Sequence, residues 1–156
     1  MRAYAPAVVL ALAGTVVHGY TFAMYNVYTQ GVIGGTSTSY KIFSTPPDCD
    51  DLDNAVSMSS STDVSGGNGV RCEGSCTGIG EGNVIDELEM RIGDTHWTYY
   101  RDRGDDNLVD TNDNRVGSCH IPPSNYVECF VGIGSFTGRR ILRCDTDGQV
   151  PIGLGN

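Results

Sequence analysis

Two patterns of apolar residues divide the chain. Behind Arg2, the segment from Ala7 to Val17 is almost uninterruptedly apolar, and Val17-His18-Gly19 closes it on a small residue. A positive start, a short apolar stretch and a small-residue exit describe an export signal, so cleavage is expected before Tyr20. The run is roughly half the length of about 20 apolar residues that a membrane-spanning helix needs. Beyond it the pattern breaks into short pieces. Phe22 to Thr29, Tyr40 to Ser44, Val84 to Ile92, His96 to Arg101, Tyr126 to Ile133 and Arg139 to Cys144 alternate apolar with polar positions or concentrate β-branched and aromatic side chains, which predicts strands. The segment from Val84 carries a mixed signal, since Glu, Leu and Met favour helix. Leu88, Met90 and Ile92 nevertheless alternate, and Gly82 and Gly93 bracket the segment closely, which decides for strand. No stretch repeats apolar residues over three helical turns.

Turn-rich connectors separate these strands: Pro46-Pro47-Asp48, Ser57 to Gly69, Gly78 to Gly82, Arg103 to Asn114 and Pro122-Pro123. The Ser/Gly-rich stretch from Ser57 to Gly69 is expected to be a mobile loop, and the tail from Val150 to Asn156 to be loosely held. Short strands at this spacing predict an all-β fold, an antiparallel Greek-key sandwich or barrel. One domain from residue 20 to residue 156 accounts for the length.

Export changes the meaning of the six cysteines, Cys49, Cys72, Cys76, Cys119, Cys129 and Cys144. In an oxidising compartment an even number is expected to pair completely, which makes the fold disulfide-stapled. Three of them precede residue 80 and three follow residue 115. An odd number in each half cannot close within that half, so at least one bridge must join the two. Six cysteines allow fifteen connectivities, and the sequence does not choose among them. The competing use, zinc held by Cys72 and Cys76 with His96 or His120, lacks the second cysteine pair of a structural site.

The chain has ten basic and nineteen acidic side chains, a net charge of −9, and Arg2 leaves with the signal. Such a chain is repelled by nucleic acids and anionic membranes, which argues against both as partners. Arg139, Arg140 and Arg143 form the one basic cluster, and they read as the solvated face of a strand.

Several segments combine an aromatic residue with a later glycine. Phe130 through Phe136 and Gly138 is the clearest, with Trp97 through Gly104 and Tyr28 through Gly35 fainter. Beside them stand Asp53-Asn54-Ala55-Val56-Ser57-Met58 and Asp113-Asn114-Arg115-Val116-Gly117-Ser118, with Gly82-Asn83 midway, at spacings of 29 and 31 residues. This pattern resembles the βγ-crystallin family. The resemblance implies aromatic-covered Greek-key hairpins and calcium held by Asp53, Asn54, Ser57, Asp113 and Asn114, whose hard oxygens suit that ion. The chain departs from the family's pattern at Met58 and Gly117, where its calcium-binding element carries Ser or Thr. It also has five residues before Phe136 where the family has four. An EF-hand is excluded, because Arg115 stands at the required glycine position and Ile121 at the bidentate glutamate.

For catalysis the candidates are His96, His120 and Glu128, which would supply an acid/base pair for RNA cleavage if they met in one cleft. Asn125-Tyr126-Val127-Glu128-Cys129 resembles the end of the small guanine-specific fungal ribonucleases. That family, however, places a histidine before its catalytic glutamate, and before Glu87 this chain has only His18, inside the signal. No nucleophile elbow, zinc-protease helix motif or phosphate-cradling loop is present. The sequence therefore points to a secreted, cysteine-rich protein that acts by binding an extracellular or host protein or glycan, in the manner of an effector or virulence factor. A secreted ribonuclease-like hydrolase is the alternative from another class, and a cell-wall or matrix protein a third.

Overall fold

The computed structural model describes residues 19–31, 35–77, 84–104, 106–123, 125–132 and 134–148. The expected signal and tail lie outside them, as do the connector at 78–82 and Ile133. In chain order the elements are β1 (Tyr20–Gly31), β2 (Thr36–Phe43), α1 (Cys49–Asn54), β3 (Met58–Ser59), β4 (Gly69–Gly74), β5 (Ile85–Ile92), β6 (Thr95–Tyr100), β7 (Asn107–Asp110), β8 (Arg115–His120), β9 (Tyr126–Val131) and β10 (Gly134–Thr146). The six strands expected from the alternation correspond to β1, β2, β5, β6, β9 and β10.

All named strand pairs are antiparallel, in the order β3-β2-β1-β10-β8-β7-β6-β5-β4. The two ends of this sheet almost meet. Ser60 bridges Val70, and the Ser61 amide donates to the Val70 carbonyl at 2.9 Å, so the sheet curls into a nearly closed barrel. Strand β10 is the joint: its last residues pair with β8, its first half pairs with β9, and its other edge pairs with β1 along almost its whole length.

Inward-facing Phe22, Met24, Ile42, Val70, Leu88, Met90, Trp97, Tyr99, Leu108 and Leu142 fill the barrel. A second, smaller core lies on the outer face of β1, β2 and β10, where Tyr25, Val27 and Phe43 are covered by Leu52 of α1 and Cys129 of β9. Helix α1 starts where Asp48 and Asp51 form a reciprocal capping box, each side chain accepting from the other's backbone amide at 2.9 and 3.0 Å. Gly138 allows the helix to sit this close, since a Cβ there would stand 3.0 Å from the Leu52 side chain. At the far end Lys41 donates to the Leu52 carbonyl and, at 3.5 Å, to that of Asp53.

The cysteines pair as Cys49–Cys129, Cys72–Cys76 and Cys119–Cys144, with none free. The parity expectation holds through Cys49–Cys129, which ties α1 to β9 across the two halves of the chain. Such bridges belong to an extracellular or otherwise oxidising environment. Among the described residues no helix is long and apolar enough to cross a membrane. The stretch expected to be a mobile loop is anchored more than its composition suggests: it contains β3, and Met58 and Val64 are both buried.

A candidate binding cleft beside a β-bulge

The pairing of β1 with β10 is broken once. Met24 pairs with Leu142 and Tyr25 with Arg140, which leaves Ile141 as an extra residue. In a regular strand, residues three apart point to opposite faces. The bulge changes that phase, so that Arg140, beside Tyr25, and Arg143, beside Ala23, share the outer face. Together with Tyr25, Phe43, Thr45 and Pro46 they line a cleft of about 90 Å³.

The electrostatics of this cleft are unusual for an acidic protein. Among the described residues neither Arg140 nor Arg143 forms a salt bridge or a side-chain hydrogen bond, and the Arg140 Nε is shut off from solvent without a partner. Burial pushes the Tyr25 hydroxyl pKa up, against the opposing pull of the Arg140 charge. Two other charged groups near the cleft are already engaged. Lys41, which pairs with Tyr25 in register, is committed to the end of α1. Asp145, two residues beyond Arg143, accepts a hydrogen bond from the Thr21 hydroxyl at 2.5 Å. Arg139 belongs elsewhere, with its guanidinium 5.7 Å from the Tyr126 ring centre. The solvated strand face expected for the three arginines is thus corrected for Arg139 and Arg140, which are half-buried, and holds for Arg143 alone.

The outer face of β4, β5 and β6 carries the opposite arrangement, in which a cation is surrounded by carboxylates. Arg71 contacts Glu87, Glu73 at 2.6 Å and Glu89 at 2.8 Å, while His96 Nε2 lies 2.7 Å from Glu89. Burial pushes the Glu89 carboxyl up, but hydrogen bonds from Arg71 and His96 and their charges outweigh it and hold its pKa below the usual value. A groove of about 610 Å³ follows the β3–β4 seam beside Cys72–Cys76. The cation lining it is this same Arg71, already held by three carboxylates.

The structure does not bring the candidate catalytic residues together. Tyr99 is level with Leu108, and Leu108 with Gly117; His96 lies three residues before Tyr99 on β6, and His120 three residues after Gly117 on the parallel-running β8. At about 3.3 Å per residue the two histidines are separated by about 20 Å along the strands. Glu128 is exposed on β9, and His120 pairs in register with Arg143.

The candidate calcium ligands are likewise apart. Asp53 and Asn54 end α1, where the Asn54 amide donates to the Asp50 carbonyl at 2.9 Å, and Ser57 is exposed just beyond. Asp113 and Asn114 form the β7–β8 turn. There Asp113 has a positive φ of 63° and contacts Arg103 at 2.5 Å, while Asn114 donates to Asp110. The two Asp-Asn pairs therefore serve different ends, a helix terminus and a hairpin. Among the described residues no three His, Cys, Asp or Glu side chains form a group that could hold a metal. In the segment that carries the crystallin resemblance, Phe130 and Phe136 pair with neighbouring positions of the β9–β10 hairpin and face opposite sides, and Phe130 is 80% exposed. Set against models of protein families, curated proteins and solved structures, the chain matches none of them.

Proposed function

We propose that this is a secreted, disulfide-stapled β-barrel protein that acts by binding, of the effector or toxin type, through the cleft at Arg140 and Arg143. One observation carries the binding half of this reading. The histidines that the ribonuclease-like alternative would bring together stand about 20 Å apart along the strands, whereas the bulge brings together two arginines that have no salt bridge or side-chain hydrogen bond among the described residues. The paired cysteines support the export half. A host or extracellular protein or glycan remains the partner class for the wider surface.

The test is made on material produced by the native host. Extracellular protein should begin within a few residues of Tyr20 and show no titratable thiol when denatured without reductant. An intracellular pool that retains Met1 and reduced cysteines would overturn export. RNA hydrolysis that vanishes in both His96→Ala and His120→Ala would replace the binding reading with the hydrolase alternative.

A further inference from the structure

An unpaired buried donor is costly, and native folds leave few of them without a purpose. The Arg140 Nε is such a donor, shut off from solvent, and Arg140 also lines a cleft whose second cation, Arg143, is exposed at the surface and lacks a partner among the described residues. Guanidinium groups present N–H forks that match the two oxygens of a carboxylate or phosphate. The floor has a different character. Tyr25 and Phe43, both almost fully buried, pack edge to face beneath it with ring centres 5.5 Å apart, and Ala23 and Pro46 carry the apolar surface that remains accessible.

Size narrows the occupant further. The cleft of about 90 Å³ compares with roughly 30 Å³ for one water in the liquid, so it has room for a small charged head. The net charge of −9 repels anions at long range, but this field is screened beyond about 8 Å at physiological ionic strength. A ligand that also gains from apolar contact overcomes that repulsion best. We propose that the cleft is a subsite for a small organic oxyanion, a carboxylate or phosphate monoester carried on an apolar body. The proposal rests on the binding reading above and gives that site its ligand chemistry.

The probes are benzoate and phenyl phosphate, with neutral benzyl alcohol as control, titrated into the exported protein and followed by calorimetry and by amide NMR. At least one of the two anions should saturate and shift the signals of Tyr25, Phe43 and Arg140, and the alcohol should not. The tighter of the two identifies the carboxylate or the phosphate ester as the natural head group. Arg143→Gln, at an exposed position, should weaken that anion about tenfold or more while leaving the melt unchanged. Asp145→Asn removes a negative charge near the cleft and should tighten it. Arg140→Met keeps the buried stem and should weaken binding further, provided its NMR spectrum remains that of the folded barrel. The proposal is overturned if neither anion saturates, if the alcohol binds as well as the anions, or if Arg143→Gln leaves affinity unchanged. An exported, thiol-free protein that ignores both anions would overturn the cleft assignment alone, and the exported-binder reading would stand on its own test.

Discussion

At Lys41 the chain buries a cation and uses it to close a helix. The side chain is 6% exposed, and its amine reaches the Leu52 and Asp53 carbonyls at the end of α1, which has no basic residue in its last turn. Burial lowers the Lys41 pKa and the charge of Asp53 opposes that shift. Lys41→Met should destabilise the fold by about 1–3 kcal/mol, because it leaves the helix carbonyls without their donor. A lower urea midpoint at constant m-value would show this, and an unchanged midpoint would refute it. Tyr99 acts on the alkaline side. Burial first, and then the nearby Asp106 carboxylate with its hydrogen bond at 3.2 Å, push its hydroxyl up to about 12 from 10.0. Between those two values the folded protein holds a proton that the unfolded chain has lost, so stability must fall as pH rises through this window. Tyr25 and Tyr40 are raised as well, chiefly by burial, and add to the fall. Spectrophotometric titration should find tyrosines that ionise only as the barrel opens, and Tyr99→Phe should flatten the pH dependence of the melt. A titration with every tyrosine at its free value would contradict this.

Among the elements, β8 shows how closely the barrel is closed. Gly117 lies opposite Thr146, and a Cβ there would stand 2.3 Å from the Asp145 carbonyl oxygen and 2.9 Å from the Thr146 Cα, both of them backbone atoms. Gly117→Ala must therefore push β8 away from β10, at a cost on the scale of about 1–3 kcal/mol for overpacking. Gly67, with nothing within 4 Å of its Cβ position, is the control. Gly67→Ala should melt within a degree or two of wild type, whereas equal melting of the two variants would mean that the strands can separate freely. The same closeness explains what the sequence did not reveal. Strands β5 and β6 were legible because each buries one face more than the other, which gives the alternation of Leu88, Met90 and Ile92 or of Trp97 and Tyr99, and β1, buried on both faces from Met24 to Val27, was legible by its aromatic and β-branched side chains. Strand β8 carries Gly117 and Ser118 where a pattern would need bulk, and β7 has four residues inside a polar connector, so neither shows a period. Helix α1 did leave a signal, Asp48 followed three residues later by Asp51, but with aspartate in place of the usual Glu or Gln its capping box read as a turn. The cleft was legible in composition only. Three arginines in five positions were visible, but a register shift depends on pairing with β1 and leaves no mark in β10 itself.

For the whole molecule, the parity of the cysteines was readable and their connectivity was not, because pairing depends on how α1 and β9 meet over the outer core. The bridges close loops of very different length: Cys49–Cys129 spans a separation of 80 residues, Cys119–Cys144 spans 25 and Cys72–Cys76 only 4. In the chain-entropy account their contributions rank in that order, at about 4.5, about 3.5 and about 2 kcal/mol. Their accessibility ranks them differently, since Cys119 and Cys144 are both buried, Cys129 is buried but its partner Cys49 is exposed, and Cys72 and Cys76 are both half-buried at the barrel seam. Thiolate attack needs access to sulfur. Limited dithiothreitol on the native protein, followed by alkylation and mass spectrometry, should therefore label Cys72 and Cys76 before Cys119 and Cys144, and protein reduced at Cys72–Cys76 alone should keep its fold with a modest loss of melting temperature. The double substitution of Cys49 and Cys129 to alanine should cost most, because it frees the longest loop and detaches α1 from β9 above the floor of the cleft. Early labelling of Cys119 or Cys144 would mean that the barrel core opens more readily than the seam, and the cleft, whose Arg143 adjoins Cys144 on β10, would then lack the rigid wall that anion binding requires.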